Sequence, residues 1–326
     1  MNDFLKKVHK GIRCGVFLIL VTVALFAGCG QQSAPKSKAE KQADVPAKTN
    51  IVAPDPSPEV PPVPPVMLEP ALQKVVDEIM AKNNAVRSYT CIWDGSETFK
   101  IVKGPRAGQV AELAFHEERA FKRPERLRVK STQLEHTIMP GLAGQVRDKV
   151  VDGTTGWEYL QTPAGAGQKM VAAMRKDLPE AEKADIIRRH EAPHVFRTDI
   201  QRLREAGVWE TRIWPRWEQL LVPFNLCDMS TLKLESEDEG QWIFSAKPIA
   251  LAKGVERITL TIGKMDGILR EIRGTLTKGG ENVQRISNLV LNPDLPEETF
   301  AFTPPEGVEM TDSTDMDINS VLGETQ

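Results

Sequence analysis

The sequence has no excess of basic charge and no apolar run long enough to cross a bilayer comfortably. Its 326 residues include 42 lysines and arginines against 45 aspartates and glutamates, which gives a net charge of −3. Nucleic acids are bound through a basic face, so this balance argues against a nucleic-acid-binding protein. The apolar run over residues 16–27 is short, whereas a transmembrane helix needs about 20 apolar residues.

Recognisable catalytic motifs are also scarce, since the chain has neither a G-x-S-x-G elbow nor a P-loop. One pattern, His190-Glu191-Ala192-Pro193-His194, matches the HExxH signature of zinc proteases. That chemistry needs both histidines on one face of a continuous helix, and Pro193 interrupts a helix between them. We therefore expect a helix that ends near Pro193, and neither a cofactor nor enzyme activity. A zinc hydrolase at His190 and His194 is the remote alternative.

The N-terminus is typical of an export signal. Four basic residues and one acidic residue precede the apolar run, and small residues follow it, in the order found in secretory signal peptides. The segment Phe26-Ala27-Gly28-Cys29 resembles a lipobox, the cleavage site of bacterial lipoprotein signal peptides. This resemblance implies a signal peptide over residues 1–28 and a diacylglycerol, with a further acyl chain such as palmitate, on Cys29. An uncleaved anchor helix is the alternative.

Lipidation of Cys29 predicts a location outside the cytoplasm. Several acyl chains anchor a protein stably, at about 0.8 kcal/mol per buried methylene. We expect a protein anchored to a membrane and facing the periplasm, with the outer membrane favoured because Gly30, and not an aspartate, follows the cysteine. Removal of residues 1–28 takes away four basic residues and one acidic residue, so the mature chain carries a net charge of −6.

Cysteine is rare, with 4 residues in the chain. Cys14 lies within the predicted signal peptide and Cys29 is the predicted lipid site, so Cys91 and Cys227 remain in a compartment that permits disulfides. The sequence leaves two alternatives open for this pair. They form a disulfide, or they are two buried thiols that pack as small hydrophobic side chains.

The rest of the chain divides into a tether, one large domain and a tail. Residues 29–67 contain nine prolines after the predicted lipid site and have almost no aliphatic pattern. They cannot bury enough apolar surface to offset the entropy of ordering, which predicts a disordered tether. Residues 68–312 suit a single domain, and residues 313–326 are expected to form a flexible tail.

Periodicity predicts an α+β fold for the domain. Pro70 opens a helix with one apolar face, and alternating strands follow it. Residues 165–225 predict a helical insertion, with a helix over residues 178–189 and another that Thr198 caps. We expect an incomplete antiparallel β-barrel, in which a curved sheet is covered on its apolar face by helices. The main strands are predicted at residues 89–93, 111–119, 121–130, 146–151, 232–236, 241–246, 257–262, 269–277 and 283–291.

Three segments, in the same order, resemble the LolA/LolB family of periplasmic outer-membrane lipoprotein carriers and receptors. Lys122-Arg123-Pro124 is similar to the KRP segment of that family. Residues 151–159, VDGTTGWEY, are similar to its DGxxLWxY hairpin, and residues 299–308, TFAFTPPEGV, to its terminal FxFTPPxGV. The resemblance spans about residues 68–312. It implies an incomplete barrel whose lid helices close an apolar cavity for the acyl chains of lipoproteins.

The resemblance also implies a function and residue roles. The expected function is to bind acyl chains of lipoproteins or lipids, for sorting or transfer at a membrane. Arg123 matches the arginine that contacts the lid helices, so a gating role is implied; an exposed charge on an alternating strand is the alternative. A set of apolar positions is expected to line the cavity, or else an ordinary packed core: Trp93, Phe115, Trp157, Trp242, Phe244, Leu260, Ile262, Phe300 and Phe302.

A second hypothesis keeps the fold and changes the function. A regulatory or scaffolding lipoprotein would bind a protein partner and carry no lipid cargo. Its interface would be residues 165–225, which are rich in tryptophan and arginine, two residue types that often anchor protein interfaces. Under the first hypothesis the expected partners are lipid and a membrane.

Overall fold

The computed structural model describes residues 68–102, 106–174, 178–213, 218–249 and 254–322. The predicted signal peptide, Cys29 and the tether lie outside these residues. The described residues form one sheet of twelve strands and five α-helices. Within them, no helix combines the length and apolar character needed to cross a membrane.

The helices alternate with runs of strands along the chain. The helices are α1 (Pro70–Ala85), α2 (Ala166–Met174), α3 (Glu180–Glu191), α4 (Ile200–Glu205) and α5 (Thr314–Leu322). The strands are β1 (Ser88–Lys100), β2 (Val110–Lys122), β3 (Arg126–His136), β4 (Val146–Val151), β5 (Thr155–Gln161), β6 (His194–Asp199), β7 (Lys233–Glu237), β8 (Gln241–Ala246), β9 (Val255–Gly263), β10 (Leu269–Leu276), β11 (Gly280–Leu291) and β12 (Glu309–Asp312).

The sheet is open, and β12 and β7 form its two edges. The strand order is β12-β6-β5-β4-β3-β2-β1-β11-β10-β9-β8-β7. The pairing of β12 with β6 is parallel, and the other pairings are antiparallel. The predicted α+β class, an incomplete curved barrel with covering helices, is confirmed.

One face of the sheet carries the main hydrophobic core. Tyr89, Cys91 and Trp93 alternate along β1 and are at most 4 % exposed, because successive strand residues point to opposite faces. We call the face that carries these three side chains the inner face, and the opposite one the outer face. Helices α1, α4 and α5 and residues 208–213 and 218–232 contribute to the same buried cluster. We call these segments the cover.

The single strand predicted over residues 121–130 is wrong. Strand β2 ends at Lys122 and β3 begins at Arg126, so Arg123, Pro124 and Glu125 form a hairpin turn. The physical reason is Pro124, which has no N–H to donate to a ladder of hydrogen bonds. Glu125 lies at φ 51°, in the left-handed region that turns use.

The helical insertion predicted at residues 165–225 is only partly right. Helices α2, α3 and α4 lie in it, but so does β6, which pairs with β5 and β12. The run from His194 to Asp199 contains β-branched and aromatic residues that favour a strand. Thr198 does not cap α4, because the side chain of Asp199 accepts the hydrogen bond from the Arg202 amide at 3.2 Å.

The flexible tail predicted at residues 313–326 is wrong for residues 314–322, which form α5. Thr314 is fully buried, and Val321 belongs to the core cluster. Asp315 and Asp317 lie in the first turn, where negative charge is favoured by the helix dipole. Packing against the core, more than helix propensity, accounts for this nine-residue helix.

Candidate functional site: the inner face and its cover

Most of the predicted lining residues share the inner face. On neighbouring strands Trp242 pairs with Ile262, and Phe244 pairs with Leu260. Six of the predicted residues belong to the main buried cluster, and each is at most 4 % exposed. The sequence therefore located a contiguous apolar surface, made of Trp93, Phe115, Trp242, Phe244, Leu260 and Ile262.

The other three predicted lining residues lie elsewhere. Val151 faces the inner cluster, so its neighbour Val150 and the cross-strand partner of Val150, Trp157, face outward. The ring of Trp157 packs on Phe302 at 5.6 Å between centroids. Phe300 is buried outside the inner cluster. The prediction that Trp157, Phe300 and Phe302 line the same cavity is wrong, because residues 299–302 run along the outer face.

The cover closes the inner face with apolar side chains of its own. Phe224 meets the inner-face residue Phe244 edge to face, with centroids 5.3 Å apart. Leu220 and Leu221 are at most 1 % exposed, and Trp209 is fully buried. The inner face is thus occupied by the protein's own chain.

The hairpin turn between β2 and β3 holds two parts of the cover through Arg123. Its Nε donates to the carbonyl oxygen of Val86, the residue after α1, at 2.9 Å. Its Nη2 lies 3.2 Å from Oε1 of Glu218, a buried residue of the cover. Arg123 is an exposed residue, but it lies in a turn and not within a strand, and its guanidinium contacts the residue that follows α1 and a carboxylate of the cover.

Glu125 holds two further parts of the cover from the same turn. Its Oε1 accepts a hydrogen bond from Nε1 of Trp209 at 3.0 Å, and its Oε2 forms an ion pair with Arg204 of α4. The sequence analysis missed Glu125, although it directly follows the KRP segment. We call the turn Arg123-Pro124-Glu125 the latch, because its two charged side chains contact three residues of the cover and Val86, the residue that follows α1.

A chain of buried hydrogen bonds crosses the inner face between β1 and β11. Gln284 accepts from Trp93 Nε1 at 3.1 Å and donates to Asn282 Oδ1 at 2.9 Å. Asn282 then donates to Glu97 Oε2 at 3.2 Å. Burial raises the pKa of Glu97 to about 8, and its Oε1 has no hydrogen-bond partner. None of these polar residues was predicted, because a lone polar residue in a strand gives no signal of its orientation.

A buried ion pair lies beside this chain. The guanidinium of Arg119 stacks over Trp93, 3.6 Å from the ring centroid. Two of its nitrogens donate to Oε2 of Glu117, at 2.8 and 2.5 Å. Both side chains are at most 5 % exposed. The inner face is therefore apolar on β8 to β10, whereas on β1, β2 and β11 it combines apolar side chains with these buried polar groups.

Cys91 and Cys227 are free thiols, and both are buried. Burial raises the pKa of Cys91 to about 11 and that of Cys227 to about 12. Of the two alternatives left open by the sequence, the structure has the buried thiols, which pack in the inner cluster.

The HExxH pattern is divided between two elements. His190 lies in the last turn of α3, and His194 is the first residue of β6. His194 Nε2 lies 3.0 Å from the carbonyl oxygen of Arg189. The continuous helix that the zinc motif needs is not formed, and no group of three or more metal-binding side chains is found among the described residues.

No protein-family model and no curated protein matches the chain. Solved structures, in contrast, do match the chain. A conserved protein from Thermus thermophilus, uncharacterised, has a TM-score of 0.39 at 12 % identity, over 74 % of this chain and 99 % of that one.

Two further solved structures are similar to the chain. A putative outer membrane lipoprotein-sorting protein domain from Vibrio parahaemolyticus has a TM-score of 0.29 at 7 % identity, over 70 % of this chain and 94 % of that one. A LolA superfamily protein from Nitrosomonas europaea has a TM-score of 0.27 at 12 % identity, over 71 % of this chain and 97 % of that one.

Proposed function

We propose that the protein is an exported, lipid-anchored protein that binds acyl chains of lipoproteins or other lipids against its inner face. The observation that carries this proposal is that a large apolar face is closed by a cover, and that polar contacts to the latch hold parts of this cover in place. Each methylene buried on that face contributes about 0.8 kcal/mol. An acyl chain would therefore bind by replacing the cover's own apolar contacts.

The latch supports opening of the cover because its contacts are polar and partly exposed. The side chains of Arg123 and Glu218 are 39 % and 10 % exposed, and those of Arg204 and Glu125 are 30 % and 23 % exposed. Water can replace such contacts at small net loss, since partly exposed ion pairs contribute about 0–1 kcal/mol each. Release of the latch would free α4, Trp209 and the chain around Glu218.

The anchoring part of the proposal rests on the N-terminal sequence. Lipid on Cys29, followed by the tether of residues 30–67, would hold the domain near one membrane and prevent free diffusion between two. We therefore propose a local role in sorting or transfer, closer to a membrane-bound receptor than to a soluble carrier.

A photo-crosslinking experiment tests acyl binding. The full chain is placed in phosphatidylcholine nanodiscs with a 16-carbon fatty acid that bears a diazirine on its chain, and labelled peptides are mapped by mass spectrometry. We expect labels on inner-face peptides of β8 and β9. Arg123→Met should speed their labelling, whereas Arg188→Met, which removes an exposed ion pair with Asp185 on α3, should not. Absence of label from the inner-face peptides would refute the proposal.

The protein-partner hypothesis remains a prediction for residues 165–225. Trp209, one of the tryptophans that would anchor this interface, has another role: it is fully buried and donates a hydrogen bond to Glu125 of the latch. A full chain that takes up no acyl probe, and that loses a bound protein when the α2–α3 segment is deleted, would favour this hypothesis.

A further inference from the structure

The hydrogen-bond chain between β1 and β11 ends at a carboxyl group that is incompletely bonded. Glu97 is fully buried, and it shares the inner face with Trp93, four residues earlier on β1. Its Oε2 accepts a hydrogen bond from Asn282 at 3.2 Å, whereas its Oε1 has no hydrogen-bond partner. A buried polar atom without a partner is rare in native proteins and costs free energy.

The unbonded oxygen of Glu97 carries a proton at neutral pH. Burial raises the pKa of this carboxyl to about 8, so the uncharged form predominates. An uncharged carboxyl has one O–H donor, and its carbonyl oxygen is the better acceptor. Since Oε2 accepts from Asn282, the proton lies on Oε1. Glu97 therefore directs a hydrogen-bond donor without an acceptor into the interior.

The apolar strands lie next to this part of the inner face. Strand β11, which holds two members of the hydrogen-bond chain, pairs with β10 through Gln284 and Ile272. Leu260 pairs with Ile272 on one side and with Phe244 on the other. Neighbouring strands are about 4.8 Å apart, so β8 lies about 14 Å from β11. A hydrocarbon chain that crosses β8 to β10 would therefore bring its polar end to β11 and β1.

The space between Trp93 and Glu97 is filled by a side chain and not by backbone. Gly95 lies between them on the inner face, and a Cβ at this position would overlap the ring of Phe115. The ring of Phe115 therefore lies against β1 beside Glu97. Rotation of this one side chain would make room for a carbonyl group without a change in the strand.

The buried charges beside Trp93 are committed to each other. Two nitrogens of Arg119 donate to Oε2 of Glu117, and both side chains are at most 5 % exposed. Neither group is available to an ionised headgroup without breaking this pair. An uncharged acceptor therefore suits Glu97 better than an ion does.

We infer that the inner face binds the carbonyl oxygen of an ester- or amide-linked acyl chain at Glu97, with Oε1 as the hydrogen-bond donor and the acyl chain on β8 to β10. This inference rests on the proposed function, because it assigns the polar end of the same ligand. The carbonyl would supply the acceptor that Oε1 lacks, and the hydrogen bond from Asn282 holds the carboxyl in the orientation that this contact needs.

Three uncharged probes with one chain length and a diazirine on that chain test the contact. They are a monoacylglycerol, the amide of the same acid with serinol, and the corresponding ether, which lacks the carbonyl. The full chain is placed in nanodiscs of an ether-linked phosphatidylcholine, so that the membrane supplies no competing ester. The readout is the ratio of the probe concentrations that half-saturate labelling of β8 and β9 peptides. A carbonyl probe should half-saturate at about one-tenth of the ether concentration, as expected for one hydrogen bond to a buried donor.

Two substitutions at Glu97 separate the donor from the volume of the side chain. Glu97→Met removes the donor and should abolish the preference for a carbonyl, whereas Glu97→Gln keeps an N–H donor and should retain it. Glu118→Met, at an exposed position of β2, is the matched control and should behave as the wild type. Because each ratio is measured within one variant, a smaller folded fraction affects all three probes equally and does not imitate the result.

The outcomes distinguish this contact from the proposed function. A preference for the ester alone or for the amide alone supports the inference and identifies the linkage. Equal half-saturation by all three probes in the wild type, or a preference that persists in Glu97→Met, refutes the contact and leaves the proposed function standing. Loss of the preference in Glu97→Gln as well overturns the donor role. If no probe labels the inner-face peptides, the proposed function fails too.

Discussion

The indole of Trp93 and the amide of Gln284 are joined by a hydrogen bond of 3.1 Å in the middle of the inner face. The hydrogen bonds continue in the same direction: Gln284 donates to Asn282, and Asn282 donates to Glu97. Glu97 is thus the last acceptor of the chain. Its second oxygen has no partner and no contact with water, so the protonated, uncharged form is the one that burial favours.

We predict that Glu97 makes the protein less stable as the pH rises. Its pKa is about 8 in the folded protein against 4.5 for the free side chain, so the folded state binds the proton more tightly. The stabilising contribution is complete below pH 4.5 and is lost as the pH rises through 8. Glu97→Gln should flatten the decrease in Tm between pH 5 and pH 8.5 by several degrees. Glu118→Gln, an exposed residue of β2, is the control, and equal slopes for both variants would contradict the prediction.

The latch should show energetic coupling between Arg123 and Glu218. Arg123→Met, Glu218→Gln and the double variant form a cycle that isolates their interaction. We expect a coupling free energy of about 1 kcal/mol from urea unfolding, because one side chain of the pair is 10 % exposed and the other 39 % exposed. Strictly additive effects would mean that Arg123 does not hold this part of the cover.

Two adjacent glycines before and within β11 should differ in their tolerance of alanine. A Cβ at Gly280, where φ is +106°, would overlap the carbonyl oxygen of Thr98 in β1. A Cβ at Gly279, where φ is +78°, would meet nothing within 4 Å. Gly279→Ala should lower stability by about 1 kcal/mol through backbone strain alone, and Gly280→Ala by about 3 kcal/mol or more. Similar Tm values for the two variants would refute the steric argument.

The two buried cysteines should be inert in the folded protein. Burial raises both pKa values, to about 11 and about 12, and the thiolate is the reactive form. Iodoacetamide at pH 8 should leave Cys91 and Cys227 unmodified until the chain is unfolded without reductant, after which both should react. A peptide that joins the two residues would show the disulfide alternative instead.

Lipidation at Cys29 is tested in cells with an alkyne-labelled palmitate. The wild-type chain should incorporate the label and fractionate with membranes. Cys29→Ser should lose the label, because it lacks the thiol that forms the thioether. Cys14→Ser, a cysteine within the predicted signal peptide, should behave as the wild type, and retention of label in Cys29→Ser would disprove the assignment.

Some strands were predictable because turn residues mark their ends. Val146–Val151 and Gln241–Ala246 begin and end at the predicted residues, since Asp152-Gly153 follows the first strand and Gly240 precedes the second. Strand β6 was not predicted, because the preceding helix pattern and Pro193 indicate the end of a helix and do not indicate the strand that follows it. Helix α5 was missed because its few apolar positions become informative only once the core that they contact is known.

In the candidate site, too, some residues could be predicted from the sequence and others could not. The apolar inner face could be predicted from alternation, and Arg123 from its motif. Trp157 and Phe302 were assigned to the wrong face because the sequence gives the alternation of a strand without saying which side is the core. Glu125 and Glu97 could not be found, since their importance comes from partners 84 and 185 residues away in the chain.

The position of α1 gives the N-terminal segment a mechanical consequence. The helix begins at Pro70, two residues after Leu68. The residue that follows it, Val86, accepts a hydrogen bond from Arg123 of the same hairpin that contacts Trp209 and Glu218. A force applied to the chain before Leu68 would therefore act first on α1, which is part of the cover. If the lipid on Cys29 holds the N-terminal end of the tether in a membrane, thermal motion of the domain relative to that anchor would exert a force on the cover.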